Sequence, residues 1–189
     1  MGSGWYASLF GGATWTSDWG DSVGTPLGPY KFEFSSDPGY MLGLATGVNV
    51  LPGLRAEVEY SYAAADLDKL KFSFGGASVS FSIPGDMTVQ MLLANVWYDF
   101  NINAPIRPYV GGGIGYGWTD FSALGGSNDD DGFAYQLGVG GVMPVTNQVS
   151  LDVGYRYKAV TGIDLLGGGF SDDVASHNVR AAVVIKLGN

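Results

Sequence analysis

The chain has 189 residues, a length for one domain, and its 18 acidic against 9 basic residues give a formal net charge of −9. It has no cysteine, which excludes a disulfide scaffold and a cysteine-ligated metal centre. Its acidity removes the basic footprint that a phosphate backbone requires, so no nucleic-acid partner is expected. It combines 31 glycines, 14% aromatic residues and only 14% charged residues, a mixture unlike a disordered chain and unlike an ordinary soluble domain.

No run of 18 apolar residues exists, so no transmembrane helix is expected, and Met1–Gly4 lacks the basic and apolar segments of a signal peptide. A bilayer can also be crossed by a closed barrel whose strands need only about 9–11 residues. The hydrophobic pattern has a period of two from end to end. A first strand is predicted over residues 5–15, with Trp5, Ala7, Leu9, Gly11, Ala13 and Trp15 on one face and Tyr6, Ser8, Phe10, Gly12 and Thr14 on the other. A polar Gly/Pro-rich stretch follows, with a short strand top at Tyr30–Phe34. Residues 39–50 form a second strand, closed by a tight turn at Leu51-Pro52-Gly53.

The third strand, 54–64, alternates most cleanly: Leu54, Ala56, Val58, Tyr60 and Tyr62 oppose Arg55, Glu57, Glu59 and Ser61. Phe72-Ser73-Phe74, Gly75-Gly76 and Val79–Ile83 read as a hairpin that carries strands three and four beyond the main body. The fourth strand, 87–100, is less polarised, because Met91, Leu93 and Trp97 interrupt its second face. The fifth, 106–119, sets Val110, Ile114, Tyr116 and Trp118 against Arg107, Tyr109, Gly111, Gly113, Gly115 and Gly117. An acidic loop over 120–132 contains Asp129-Asp130-Asp131. The sixth, seventh and eighth strands are predicted at 133–145, 149–159 and 177–187.

Eight strands with alternating long and short connections give an antiparallel up-and-down order, which collects every long loop at one end. That end holds fourteen acids and only Lys31, Lys69 and Lys71 as bases, a net of −11. In a soluble barrel the apolar face points inward; in a membrane barrel it points out. Three features favour the second. A row of glycines facing water would weaken a sheet, whereas in a narrow lumen it makes room for long side chains. Trp5, Trp15, Tyr60, Tyr62, Tyr98, Trp118, Tyr155 and Tyr157 gather at strand ends, as interfacial aromatics do. The strands are also longer than the ~5–6 residues usual in globular sheets. The expected fold is therefore all-β, an eight-stranded antiparallel up-and-down transmembrane β-barrel in one domain. Aromatic and aliphatic residues would lie outside, with glycines and paired charges inside.

The segment Arg107-Pro108-Tyr109-Val110-Gly111-Gly112-Gly113-Ile114-Gly115-Tyr116-Gly117 closely resembles the fifth strand of small surface proteins of Gram-negative bacteria, the opacity-type or outer-membrane-protein β-barrel family. Gly4-Trp5-Tyr6 through Trp15 and Asp152-Val153-Gly154-Tyr155-Arg156-Tyr157 are similar to its first and seventh strands. Members commonly end in an aromatic residue, whereas this chain ends Ile185-Lys186-Leu187-Gly188-Asn189. The resemblance implies a bacterial outer-membrane location, long loops outside, and a role in surface presentation, binding or envelope integrity.

Four groups of candidate residues follow. Arg55, Glu57, Glu59, Asp99, Arg107, Asp152, Arg156, Lys158, Arg180 and Lys186 are expected to form a polar network in the lumen, since charges buried singly would each cost several kcal/mol. Asp129, Asp130 and Asp131 make a cation-attracting loop without the spacing of a resident metal site. Phe72, Phe74, Val79, Phe81 and Ile83 are candidates to meet an extracellular or envelope protein partner. His177 is the only histidine, and adjacent Ser176 must point to the opposite face, which argues against a base–nucleophile pair. No cofactor or metal is expected. Membrane lipid and lipopolysaccharide are the expected partners, with divalent cations bridging at the loops. An enzyme modifying lipid A, a small-solute channel and a soluble lipocalin-like carrier are the alternatives, the channel disfavoured because side chains fill an eight-stranded lumen.

Overall fold

A computed structural model describes residues 4–16, 22–25, 28–36, 38–74, 77–82, 85–102, 104–123, 126–163 and 172–187. Among them are eleven strands and no helix: β1 (Trp5–Thr16), β2 (Ser22–Thr25), β3 (Gly28–Ser36), β4 (Gly39–Leu51), β5 (Leu54–Phe74), β6 (Ala77–Ser82), β7 (Gly85–Asp99), β8 (Arg107–Ala123), β9 (Gly126–Pro144), β10 (Val149–Ile163) and β11 (Asp172–Leu187). Eight of these, β1, β4, β5 and β7 to β11, pair in antiparallel succession, and β11 returns to β1 from Trp5↔Leu187 to Thr16↔Ser176. The wall is therefore a closed eight-stranded barrel, which leaves its strands no open edge.

Short turns link the strands at one end. Gly53 there takes φ +79°, a conformation that favours glycine, and its carbonyl accepts from Asp99 N–H at 2.7 Å. At the other end the strands run on past their predicted limits. Residues 120–132, expected as an acidic loop, are mostly ladder, from Asp120↔Asp129 out to Ala123↔Gly126. Asp129–Asp131 thus sit in β9 and alternate between its faces. The predicted hairpin is present as β5 and β6, paired Lys69↔Ser82 to Phe74↔Ala77, and β3 pairs along the other edge of the same β5 extension. Phe72, Phe74, Val79 and Phe81 have strand positions there, while Ile83 lies outside the described residues.

Burial decides which face meets what. Leu9 is 68% exposed and Leu137 61%, in a belt that also takes in Val96, Ile114, Val153 and Val183. Arg55, Glu57, Glu59, Asp99, Asp152, Arg156, Lys158 and Arg180 are buried inside. A belt so apolar and continuous suits a bilayer and would be an aggregation surface in water. The segregation of apolar residues has exceptions: Tyr6, Phe10, Trp97, Tyr109, Met41, Met87, Met91 and Leu93 are all buried within the lumen. Eight strands leave an interior that only bulky side chains can fill, so the lumen needs them too.

Candidate functional site: the lumen and the loop-end rim

The lumen is layered. Nearest the short turns, Arg55 forms a two-pronged pair with Asp99, Nε to Oδ2 at 2.7 Å and Nη2 to Oδ1 at 2.9 Å. Tyr6 donates to Glu57 at 2.8 Å and the Trp97 indole donates to the same carboxylate at 3.0 Å. Tyr109 donates to Asp152 at 2.7 Å and accepts from Arg156, whose guanidinium lies 4.2 Å from the Trp97 ring centroid. In the middle, Glu59 is wholly buried and accepts from Lys158 Nζ at 2.6 Å, Arg180 Nη1 at 3.2 Å and Gln136 Nε2 at 3.3 Å. Four buried cations, Arg55, Arg156, Lys158 and Arg180, face four buried anions, Glu57, Glu59, Asp99 and Asp152. The interior is formally neutral; Arg55, Lys158 and Arg180 have carboxylate partners, while Glu57 and Arg156 are held by hydrogen bonds from and to neutral groups.

One residue predicted for this network stands elsewhere. Lys186 is exposed and donates to the Asn147 carbonyl at 3.2 Å, because β11 has passed the last lumen layer where it reaches the turns. Arg107 is half-buried at the same end. The neutral donors Asn95, Gln136, Tyr6, Trp97 and Tyr109 complete the network, although a search for charged residues does not find them. Their inward positions on the alternating strands were the available signal.

Glycines provide the room. A Cβ at Gly138 would stand 2.5 Å from Arg156 Cδ, and Cβ atoms at Gly47 and Gly140 would strike the rings of Tyr6 and Tyr109. Towards the loop end the lumen turns apolar, with Met87, Met91, Leu93, Ala134, Val160 and Val174 packed together. A cavity of about 20 Å³, lined by Met41, Met91, Thr14 and Lys158 among others, separates this cap from the charges. That is about one water molecule's space.

Outside, the predicted aromatics form two belts, Trp5 and Tyr98 near the turns, and Trp15, Tyr60, Tyr62, Trp118, Tyr155 and Tyr157 near the loops. His177 belongs to the second belt, 2.5 Å from Tyr155 Oη through Nδ1. Ser176 lies on the other face, beside Asn178 Nδ2 at 3.1 Å, so the two do not form a catalytic pair. Above this belt lies an outward band of exposed carboxylates. Asp66 is directly opposite Asp86, and Asp120 directly opposite Asp129, in the ladders. Asp131 accepts from the Tyr116 hydroxyl, and a groove of about 440 Å³ runs between Asp120, Asp129 and Asp131 on one side and Tyr60 and Trp118 on the other. Asp130 is half-buried. Among the described residues no three potential ligands converge on a metal position.

The family profile for the outer membrane protein beta-barrel domain matches residues 2–186. The chain belongs to the outer-membrane β-barrel family. An "Outer membrane protein" of Gluconacetobacter diazotrophicus is 30% identical over 157 residues, 74% of this chain and 38% of that protein. An uncharacterized protein of Brucella abortus is 27% identical over 160 residues, 71% of this chain and 56% of that protein. The chain thus spans about half the length, or less, of these curated relatives. Among solved structures, Neisserial surface protein A superposes with a TM-score of 0.67 at 20% identity, covering 99% of this chain and all of that one. OprG of Pseudomonas aeruginosa gives 0.53 at 14%, covering 98% and 97%. Family membership places this barrel in the bacterial outer membrane.

Proposed function

We propose that this barrel is a non-catalytic envelope protein that presents its acidic loop end outward and engages the surrounding lipopolysaccharide through divalent cations. The observation that carries this is the pair of like-charge contacts Asp66↔Asp86 and Asp120↔Asp129, exposed just beyond the aromatic belt. Like charges directly across a ladder repel, and a hard cation between them relieves that repulsion. Since no set of protein ligands encloses an ion among the described residues, the remaining coordination would come from lipid phosphates. The aromatic belt sets the level, because Trp and Tyr prefer the membrane interface. The filled, neutral lumen supports a structural role over a channel.

The test is a thermal melt in micelles with and without lipopolysaccharide. Calcium should raise the melting temperature only when lipopolysaccharide is present, and Asp120→Asn with Asp129→Asn should diminish the rise. A calcium response absent from the wild-type protein would contradict the reading.

A further inference from the structure

The outer wall differs from one side of the barrel to the other. Towards the loop end, the exposed acids Asp66, Asp86, Asp120, Asp129 and Asp131 stand on the neighbouring strands β5, β7, β8 and β9. Among the described residues β10, β1 and β4 carry no outward acid, and β11 carries only Asp173. That second side presents the rings of Trp15, Tyr40, Tyr155 and Tyr157, with His177 among them. No other basic group faces outward towards the loop end among the described residues.

Register sets His177 in the middle of this side. It lies directly opposite Tyr157 of β10 across one ladder and Trp15 of β1 across the other. Its ring stacks on Tyr155, with centroids 6.0 Å and planes 28° apart, and tilts against Tyr157 at 5.5 Å. The Tyr155 hydroxyl stands 2.5 Å from Nδ1. A hydroxyl donating to Nδ1 leaves the ring proton on Nε2, and in the charged ring both nitrogens carry one. Nε2 is therefore an N–H donor in either state, and no group among the described residues accepts from it. Asp173, the outward charge on the same strand, is four residues away towards the loops, about 13 Å along an extended chain. Arg156 and Lys158 of β10 and Arg180 of β11 are buried on the lumen side of the wall.

We infer that His177 makes a direct contact with a phosphate of lipid A, on the side of the barrel away from the acidic band and with no cation between. The aromatic belt around it marks the membrane interface, the level of lipid headgroups. An imidazolium gives a phosphate a charge-assisted N–H···O bond, which a neutral aromatic ring cannot. No carboxylate adjoins the ring to repel the phosphate or to call for a metal ion. The inference rests on the proposed loop end outward beside lipopolysaccharide, and differs from the acidic band in needing no divalent cation.

That difference gives the test. Binding of purified lipid A to the intact detergent-solubilised protein is measured in EDTA at about pH 8 and about pH 5.5, because a histidine gains its charge across this range. The wild-type protein should bind about three- to five-fold more tightly at the lower pH, the size of one exposed ionic contact. His177→Gln keeps a neutral donor and should lose that strengthening. His177→Phe keeps a stacking ring without a donor and should bind more weakly than His177→Gln at both values. His177 is the chain's only histidine, so one set of imidazole nitrogen resonances reports the contact. The Nε2 signal should move when lipid A is added and stay in place when its phosphates have been removed. An unmoved Nε2 signal, or a pH response in His177→Gln equal to that of the wild type, would overturn the contact. An equal Nε2 shift with phosphatidylglycerol vesicles would overturn its assignment to lipid A. The calcium-dependent melt should be unchanged in His177→Gln, so failure of this contact leaves the cation-bridged reading standing, and failure of the calcium response alone leaves the contact standing.

Discussion

Glu59 on β5 and Lys158 on β10 meet at 2.6 Å, although their strands are four apart whichever way the wall is followed. The pair spans the lumen from one side to the other and is sheltered from water on both. Removing the carboxylate leaves Lys158 and Arg180 facing each other without it. Glu59→Ala should destabilise the folded barrel by about 3–5 kcal/mol, the cost of breaking a buried pair on one side only. Combining Glu59→Ala with Lys158→Met should cost clearly less than the sum of the two single changes. Urea unfolding in micelles, followed by tryptophan fluorescence, measures all three.

The inward glycines are predicted to be as exacting as the charges. At Gly138 a methyl group would meet Arg156 Cδ at 2.5 Å, inside a lumen with no slack. Gly138→Ala should cost about 1–3 kcal/mol through forced repacking. Gly11→Ala is the control, because its added methyl meets Leu42 Cδ2 at 3.1 Å, a flexible side chain on the outer face. Its effect should stay within about 0.5 kcal/mol, as for an ordinary surface change.

Which of these features could be read beforehand depends on how strongly alternation marks them. On β5, Arg55, Glu57 and Glu59 against Ala56, Val58 and Tyr60 announce the strand and its two faces, and the structure has the charged face inside. On β7 both faces are apolar, since Met87, Met91 and Leu93 fill the upper lumen while Leu92 and Val96 meet lipid. Hydrophobicity has no contrast there, and only the neighbouring register resolves it. The extension of β8 and β9 through Asp120–Asp131 was hidden for another reason. Acidic residues suggest a loop, but ladder hydrogen bonds inherited from the barrel carry the hairpin onward. His177 drew attention as the one imidazole, yet its place beside Tyr155 and Tyr157 makes it part of the aromatic belt.

The lipid-facing belt predicts a response that a water-soluble barrel would not give. Leu137 is 61% exposed to its surroundings near the middle of β9's barrel portion. In a bilayer Leu137→Arg should cost about 2–4 kcal/mol, as a cation near the midplane does. The same change on a surface in water would cost almost nothing. Folding titrations in phospholipid vesicles compare the variant with the wild-type chain.

The neutral, packed lumen also predicts electrical silence. Reconstituted into a planar bilayer, the wild-type barrel should show no steady conductance steps, because bulky side chains fill the lumen and the ion pairs Arg55–Asp99 and Lys158–Glu59 lie within it. Regular, voltage-independent steps from the pure protein would show that the charged layers open.

The orientation of the acidic end is the claim on which the functional account depends, and cysteine labelling measures it directly. The chain has no cysteine, so single cysteines report without background. Asp129→Cys lies on the loop-end rim and Asn147→Cys on a short turn, and both positions are exposed. On intact cells, a membrane-impermeant maleimide should label the cysteine at 129 and reach that at 147 only after the outer membrane is permeabilised. Labelling at 147 but not at 129 on intact cells would contradict the account.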